Sequence, residues 1–345
     1  MIYKNIEIFN VAEIYDCPGG GISWMRVPKN VYETLERGDQ ARNMAKNSTG
    51  VELRFVIKSG DGVVIRMAKL EPSNTTNVFH VYRGGIQGTW EDCEVDKYVF
   101  DEPKDYFIKK SDNIETLKKM AAAYSDPWDP DVVRVIFDRG AYRILDVVGD
   151  VEPPKGNQLP ANSILFYGSS ITHGSNSIDM SHSWASIVGR NLRCDVINKG
   201  FAGSCAMEPE MIDYISKLGK DNKWDVCVME LGINVLWWEE EKVYSRAENA
   251  VKTVALSNPE KKIFVISPFY CYDDFKGGKD AEKWRTALKK ITDSLRLPNV
   301  TYINGPDLLS GPVGLSADEV HPNIYGVQSI ANGLTAIIKK IYKNS

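Results

Sequence analysis

The sequence predicts an antiparallel β-sandwich followed by an α/β domain of three layers, α/β/α, built on a five-stranded parallel sheet. Three observations predict it. Residues 151–160, Val151-Glu152-Pro153-Pro154-Lys155-Gly156-Asn157-Gln158-Leu159-Pro160, break any periodicity and read as a linker. Short runs rich in Val, Ile, Phe and Tyr precede it, and apolar strands alternating with amphipathic helical stretches follow it. A chain of 345 residues suits two domains, here expected at 1–152 and 162–345 with 153–161 between them.

Composition narrows the classes. With 43% hydrophobic and 26% charged residues the chain can bury a core. Its 42 basic and 46 acidic side chains leave no cationic surplus for a phosphate backbone, so no nucleic acid is expected as a partner. No apolar run reaches the roughly 18 residues of a membrane span, so no membrane partner is expected either. Residues 1–7 lack the features of a secretory signal, which, with Met1 as the native start, makes a cytoplasmic location the expectation. Without a secretory route the sequons at Asn47, Asn74 and Asn299 carry little meaning. The cysteines at 17, 93, 194, 205, 227 and 271 form no Cys-x-x-Cys pair and read as buried thiols rather than metal ligands or a disulfide framework.

In the first half, residues 50–57, 63–67, 78–82 and 132–137 read as strands, separated by turn signals such as Gly60-Asp61-Gly62 and Arg83-Gly84-Gly85. In the second half strands are expected at 163–167, 195–198, 224–230, 262–267 and 300–303. Helices are expected near 183–192, 207–219, 240–256, 280–295 and 324–342. In such a sheet the chemistry belongs at the carboxyl ends of the strands.

Each strand end carries a candidate. The first runs into Tyr167-Gly168-Ser169-Ser170-Ile171-Thr172-His173-Gly174, which presents a hydroxyl on a glycine-flanked turn. The second ends in Asn198-Lys199-Gly200, where glycine lets a backbone N–H approach a ligand, and the third in Glu230-Leu231-Gly232-Ile233-Asn234, which offers an amide donor. Two such donors suit an oxyanion site. Equally, the two glycines can serve tight turns and Asn234 a helix cap. Before the final helix lies Asp318-Glu319-Val320-His321-Pro322, where a carboxylate three residues ahead can orient an imidazole as a base; alone, it reads as a capped surface turn. Of the other histidines, His182 reads as a helix-start residue, His80 as structural, and His173 has no assigned role. Trp237, Trp238 and Tyr270 follow the same strand ends and are candidates either for substrate stacking or for core. No phosphate-binding loop, dinucleotide fingerprint or His-Glu-x-x-His helix is present.

These four blocks in this order, Gly-x-Ser, Gly, Gly-x-Asn and Asp-x-x-His-Pro, resemble the SGNH/GDSL hydrolase superfamily, specifically its bacterial members with a β-sandwich ahead of the catalytic domain. Residues 24–28 and 47–55 look, more loosely, like that group's N-terminal module. The resemblance implies a flavodoxin-like catalytic domain after a jelly-roll-like sandwich. It makes Ser170 the nucleophile, His321 the base and Asp318 its orienting carboxylate, with Ser170 N–H, Gly200 and Asn234 as the oxyanion hole. Ser169 stands where the family's name motif has Asp, and Val235 where many relatives have Asp. The expected function is a serine esterase for small acyl esters, including O-acetyl groups on carbohydrate, using no metal and no cofactor. An inactive carbohydrate-binding protein and an acyltransferase with the same residues are the alternatives.

Overall fold

The computed structural model describes residues 1–70, 77–93 and 97–343, so the Asn74 sequon lies outside the described residues. The chain divides into two compact units, 1–28 with 45–161 and 193–195, and 29–44 with 162–192 and 196–345. The expected boundaries therefore miss two stretches, 29–44 and 193–195, of which the second sorts with the first unit. Residues 29–44 sort with the second unit although they precede the linker by more than a hundred residues in sequence.

The chain opens with β1 (Ile2–Tyr3), β2 (Ile6–Phe9), β3 (Glu13–Asp16) and β4 (Ile22–Met25), then the short helices α1 (Lys29–Thr34) and α2 (Asp39–Lys46). There follow β5 (Glu52–Lys69), β6 (Phe79–Arg83), β7 (Ile86–Gln87), β8 (Lys104–Lys109), α3 (Ile114–Tyr124), β9 (Val132–Phe137) and β10 (Tyr142–Glu152). The antiparallel sheet runs β3-β4-β10-β5-β9-β6-β7, with β2 and β8 also on β5. The Gly60-Asp61-Gly62 stretch, expected as a turn, lies inside the single 18-residue strand β5. Gly60 takes φ +79°, and a Cβ on Gly62 would stand 2.5 Å from Ile108 O, so these glycines bend the strand and let β8 close on it. One half of β5 pairs with β2 and β9, the other with β8, while β10 follows both. Folding at that bend makes the sandwich, whose core joins Ile8, Trp24, Phe55, Ile65, Phe79, Tyr106 and Phe137.

Alternating along β5 with the core residues Leu53 and Phe55, Glu52 and Arg54 carry a charged cluster on the other face of the strand. Arg54, fully buried, donates to both carboxylate oxygens of Asp195 at 2.7 Å and to Glu52 Oε2 at 2.8 Å. Arg134 donates to the same Glu52 at 2.5 and 2.8 Å, and the Arg54 guanidinium lies 3.4 Å from the centroid of the Phe9 ring. Every carboxylate in the cluster is thus matched, as burial demands.

The second unit holds β11 (Ser163–Gly168), α4 (Ser170–His173), α5 (Trp184–Leu192), β12 (Asp195–Gly200), α6 (Pro209–Lys220), β13 (Val226–Glu230) and α7 (Glu240–Ser257). It continues with β14 (Lys262–Ile266), α8 (Tyr272–Phe275), α9 (Asp280–Leu295), β15 (Val300–Ile303) and α10 (Ile324–Lys343). The sheet order is β12-β11-β13-β14-β15, and β13, β14 and β15 run parallel to β11 in sequence along it. Helix α5 packs with α10, while α6, α7 and α9 pack in a row, which gives the two helical layers. Strands buried on both faces, such as the wholly buried β13, explain the near-continuous apolar runs. After β11 the chain crosses first to one neighbour and then to the other, so the crevice of a doubly wound sheet opens at the end of β11, where Ser170 begins. Among the described residues no helix is long and apolar enough to cross a membrane.

Candidate active site

The turn after β11 is built by its neighbours. A Cβ on Gly168 would stand 2.3 Å from Thr172 Oγ1 and 2.6 Å from Glu230 Oε2, so only glycine fits there. Ser169 caps the short helix α4 by accepting from Ile171 N, and Gly174, at φ +91°, ends it. Ser170, the first residue of α4, keeps a backbone N–H that the helix itself does not use.

The 318–321 turn meets this serine. His321 Nε2 lies 2.7 Å from Ser170 Oγ, and His321 Nδ1 lies 2.7 Å from Asp318 Oδ2. Asp318 Oδ1 accepts the backbone N–H groups of Val320 and His321, and Ser316 Oγ lies 2.9 Å from it. Burial pushes the Asp318 carboxyl up, but the donors of His321, Val320 and Ser316 outweigh it and hold the group well below the usual carboxylate range. Asn176, a left-handed residue at φ +61°, donates at 2.9 Å to both Asp318 Oδ2 and Ser316 Oγ. A second Asp-x-x-His exists: His182 Nδ1 pairs with Asp179 Oδ2 at 2.9 Å, where His182 closes a short helical turn two residues ahead of α5. The Ser170 hydroxyl bonds to His321 instead.

The oxyanion candidates separate. Asn234 Oδ1 accepts Cys205 N at 3.1 Å, which leaves the amide nitrogen as the outward donor. Gly200 does not present a spare amide as expected: its N–H donates to Asn198 Oδ1 at 2.8 Å, and a Cβ there would press on the His173 backbone at 2.3 Å. Its absent side chain serves strand-to-helix packing. Three residues on, Gly203 sits at φ +66° in the turn closed by Ser204 N donating to Phe201 O. The same loop is tied to β11 by Phe201 N donating to Gly168 O and to Asn234 through Cys205.

The aromatic candidates divide as well. Trp237 is 59% exposed, with the Arg37 guanidinium 4.7 Å from its ring centroid, and Arg37 donates to Asn234 O at 2.7 Å. Trp238 is buried against Trp284, with ring centroids 6.4 Å apart, and is core rather than pocket wall. Tyr270 is half-buried and stacks on Phe275.

Sequence reasoning missed Asn176, Gly203, Arg37 and Glu230. The last had a signal, since an acid closing an otherwise apolar strand is rarely buried without a task. Glu230 is fully buried under the Ser170 turn, and burial pushes its carboxyl up to about 7 against the donors of Ser169 and Thr172. An acid raised in the folded state keeps its proton while the unfolded chain loses it, so folding stability falls as pH rises from the ordinary glutamate range through about 7. The expected loss is about 3 kcal/mol over that window, and denaturation midpoints of Glu230→Gln measured across it should lack the slope.

Solved structures with this architecture include a salicylyl-acyltransferase, SsfX3, from a tetracycline biosynthetic pathway (TM-score 0.74, 16% identity, 98% of this chain and 95% of that one). A GDSL-like lipase candidate from Bacteroides ovatus gives 0.67 at 17% identity, covering 98% of each chain. A family two carbohydrate esterase from Clostridium thermocellum, solved with cellohexaose, gives 0.63 at 16% identity over 98% of this chain and 99% of that one. At such identities the likeness is one of fold, from the β-sandwich through the α/β/α domain. No curated protein gave a significant sequence match. The model of the GDSL-like lipase/acylhydrolase family matches residues 161–339, just over half of the chain and all four of its motif blocks. The protein therefore belongs to the GDSL-like lipase/acylhydrolase family.

Proposed function

We propose that the protein is a serine esterase that removes small acyl groups, with O-acetyl groups on carbohydrate as the substrate class. The observation that carries this reading is the unbroken relay of Asp318, His321 and Ser170, with 2.7 Å at each step. In the proposed mechanism His321 accepts the Ser170 proton as Oγ attacks the ester carbonyl, and Asp318 holds the ring with its proton on Nδ1. The tetrahedral oxyanion takes hydrogen bonds from Ser170 N–H, Asn234 Nδ2 and the amide of Gly203, which replaces Gly200 in the role. Protonated His321 then returns its proton to the leaving alcohol, and water, activated in the same way, releases the acyl group from Ser170.

Carbohydrate as the alcohol is supported by the exposed Trp237, held beside Asn234 by Arg37, whose ring offers a face for a sugar. It is also supported by the shared fold of a carbohydrate esterase that holds cellohexaose. The fold shared with an acyltransferase favours a second reading, in which another alcohol takes the place of water. Products decide between the two: added acceptor alcohol increases acyl ester formation in a transferase and leaves free acid as the product of an esterase.

The test is turnover of p-nitrophenyl acetate. Wild type should release acetate catalytically. Asn234→Ala should keep its fold by circular dichroism yet lose about 100- to 1000-fold in kcat, the usual cost of one oxyanion donor. No turnover by the wild type, or an unimpaired variant, would overturn the reading.

A further inference from the structure

Glu230 ends β13 directly below the residues that flank Ser170. Its Oε2 accepts three hydrogen bonds, from Ser169 N at 2.8 Å, Ser169 Oγ at 2.7 Å and Thr172 Oγ1 at 3.0 Å. Its Oε1 is buried with no hydrogen-bond partner among the described residues. Gly168 is confined to glycine by this same carboxyl. One oxygen thus grips the residue before Ser170 and the residue two after it, from the side opposite the crevice. We propose that Glu230 is a positioning residue for Ser170, clamping Ser169 and Thr172 so that the nucleophile's hydroxyl and N–H keep their aim. This rests on the reading of Ser170 as the nucleophile.

The clamp works uncharged. Three donors need one acceptor oxygen, which the carbonyl of a neutral carboxyl supplies, whereas ionisation would leave charge on the unpartnered Oε1 in a dry site. Burial pushes this carboxyl up, in accord with that geometry. Among the described residues its hydrogen bonds come from neutral donors alone. Burial holds the Tyr167 hydroxyl on β11 and the Cys205 thiol after β12 neutral. The Cys205 Sγ donates weakly to Glu230 O at 3.9 Å, and Glu208, further along that loop, is itself raised by burial. His173 follows Thr172 on α4, and β14 carries no titratable side chain at this end. Once ionised, Glu230 would set a negative charge behind the carbon where the oxyanion grows, which opposes the transition state.

The experiment compares kcat on p-nitrophenyl acetate for wild type, Glu230→Gln and Glu230→Leu from about pH 5 to about pH 9, with Ser170→Ala alongside. Gln keeps an acceptor oxygen for the three donors and cannot ionise. Its kcat should lie within about threefold of wild type at the acid end, and the ratio of Gln variant to wild type should climb roughly tenfold toward the alkaline end. Leu, with no acceptor, should lose about 100-fold in kcat at a KM within about twofold of wild type. Should the Leu variant fail to fold, the pH ratio of the Gln variant carries the test alone. A ratio flat with pH, or a Leu variant with wild-type kcat, overturns the inference. If Ser170→Ala keeps the wild-type rate, the nucleophile reading itself fails; a Ser170-dependent rate indifferent to Glu230 overturns only the positioning role.

Discussion

Ser170→Ala is expected to lower kcat by roughly 10⁶ and Asp318→Asn by roughly 10⁴, the first by removing the attacking atom and the second by reversing a tautomer. The second follows from the bonds around Asp318. Val320 N and His321 N donate to Oδ1, with Ser316 Oγ beside it, so an asparagine must leave its carbonyl oxygen on that side. Its amide nitrogen then falls where Oδ2 stood and faces His321 Nδ1. The imidazole must accept there and carry its proton on Nε2, pointed at Ser170, where it can take none. Steady-state hydrolysis of p-nitrophenyl acetate, with the fold checked by circular dichroism, measures both. An Asp318→Asn enzyme within about tenfold of wild type would show that the carboxylate does not set the tautomer.

The largest stability effect is expected at Arg54. Arg54→Met should cost about 3–5 kcal/mol, because it strips Asp195 of the guanidinium that satisfies both its oxygens while leaving the carboxylate buried. Glu52 suffers less, since Arg134 remains on it. Adding Asp195→Leu to Arg54→Met removes the stranded charge and should recover a large part of the loss. Urea denaturation near neutral pH reads both. Burial pushes the Glu52 carboxyl up, but Arg134 and Arg54 outweigh it and bring it down to about 2. Its contribution is therefore complete above the ordinary glutamate range and drains away as pH falls toward about 2. In the Arg54 variant that acid-side slope should be shallower.

Much of the second unit was legible because its signals are local. Each expected strand is present, with ends shifted by a residue or two, since apolar runs buried on both faces differ plainly from amphipathic helices. The Ser170 and Asn234 blocks stand out because each follows a strand end within a few residues, and the Asp318-to-His321 turn because it comes just before the final helix, α10. Gly200 was misread because two glycines three residues apart share one loop, and only the fold shows that the first has its N–H bonded to Asn198 and packs on α4 while the second takes the left-handed turn. Trp237 and Trp238 could not be sorted between substrate stacking and core because adjacent tryptophans carry the same local signal, whereas in the fold one is exposed and one packs on Trp284. Glu230, Asn176 and Arg37 act across 61, 142 and 197 residues of chain, and no periodicity reports a partner at such range. In the first unit the Gly60-Asp61-Gly62 bend carries the composition of a turn; pairing with β10 on both sides of it keeps the strand continuous.

The sorting of residues 29–44 with the second unit changes what the proline-rich seam at 151–160 can be used for. Helix α1 packs on α6 with Val31 buried, Leu35 just after it is buried too, and Arg37 braces the loop of Asn234. A gene fragment started at the seam would encode all four family motifs yet bare an apolar strip on α6 and lose that brace. The seam is thus a joint in the amino-acid order but not a place to cut, and a minimal fragment of the second unit would need residues 29–44 grafted back, for instance through a circularly permuted chain.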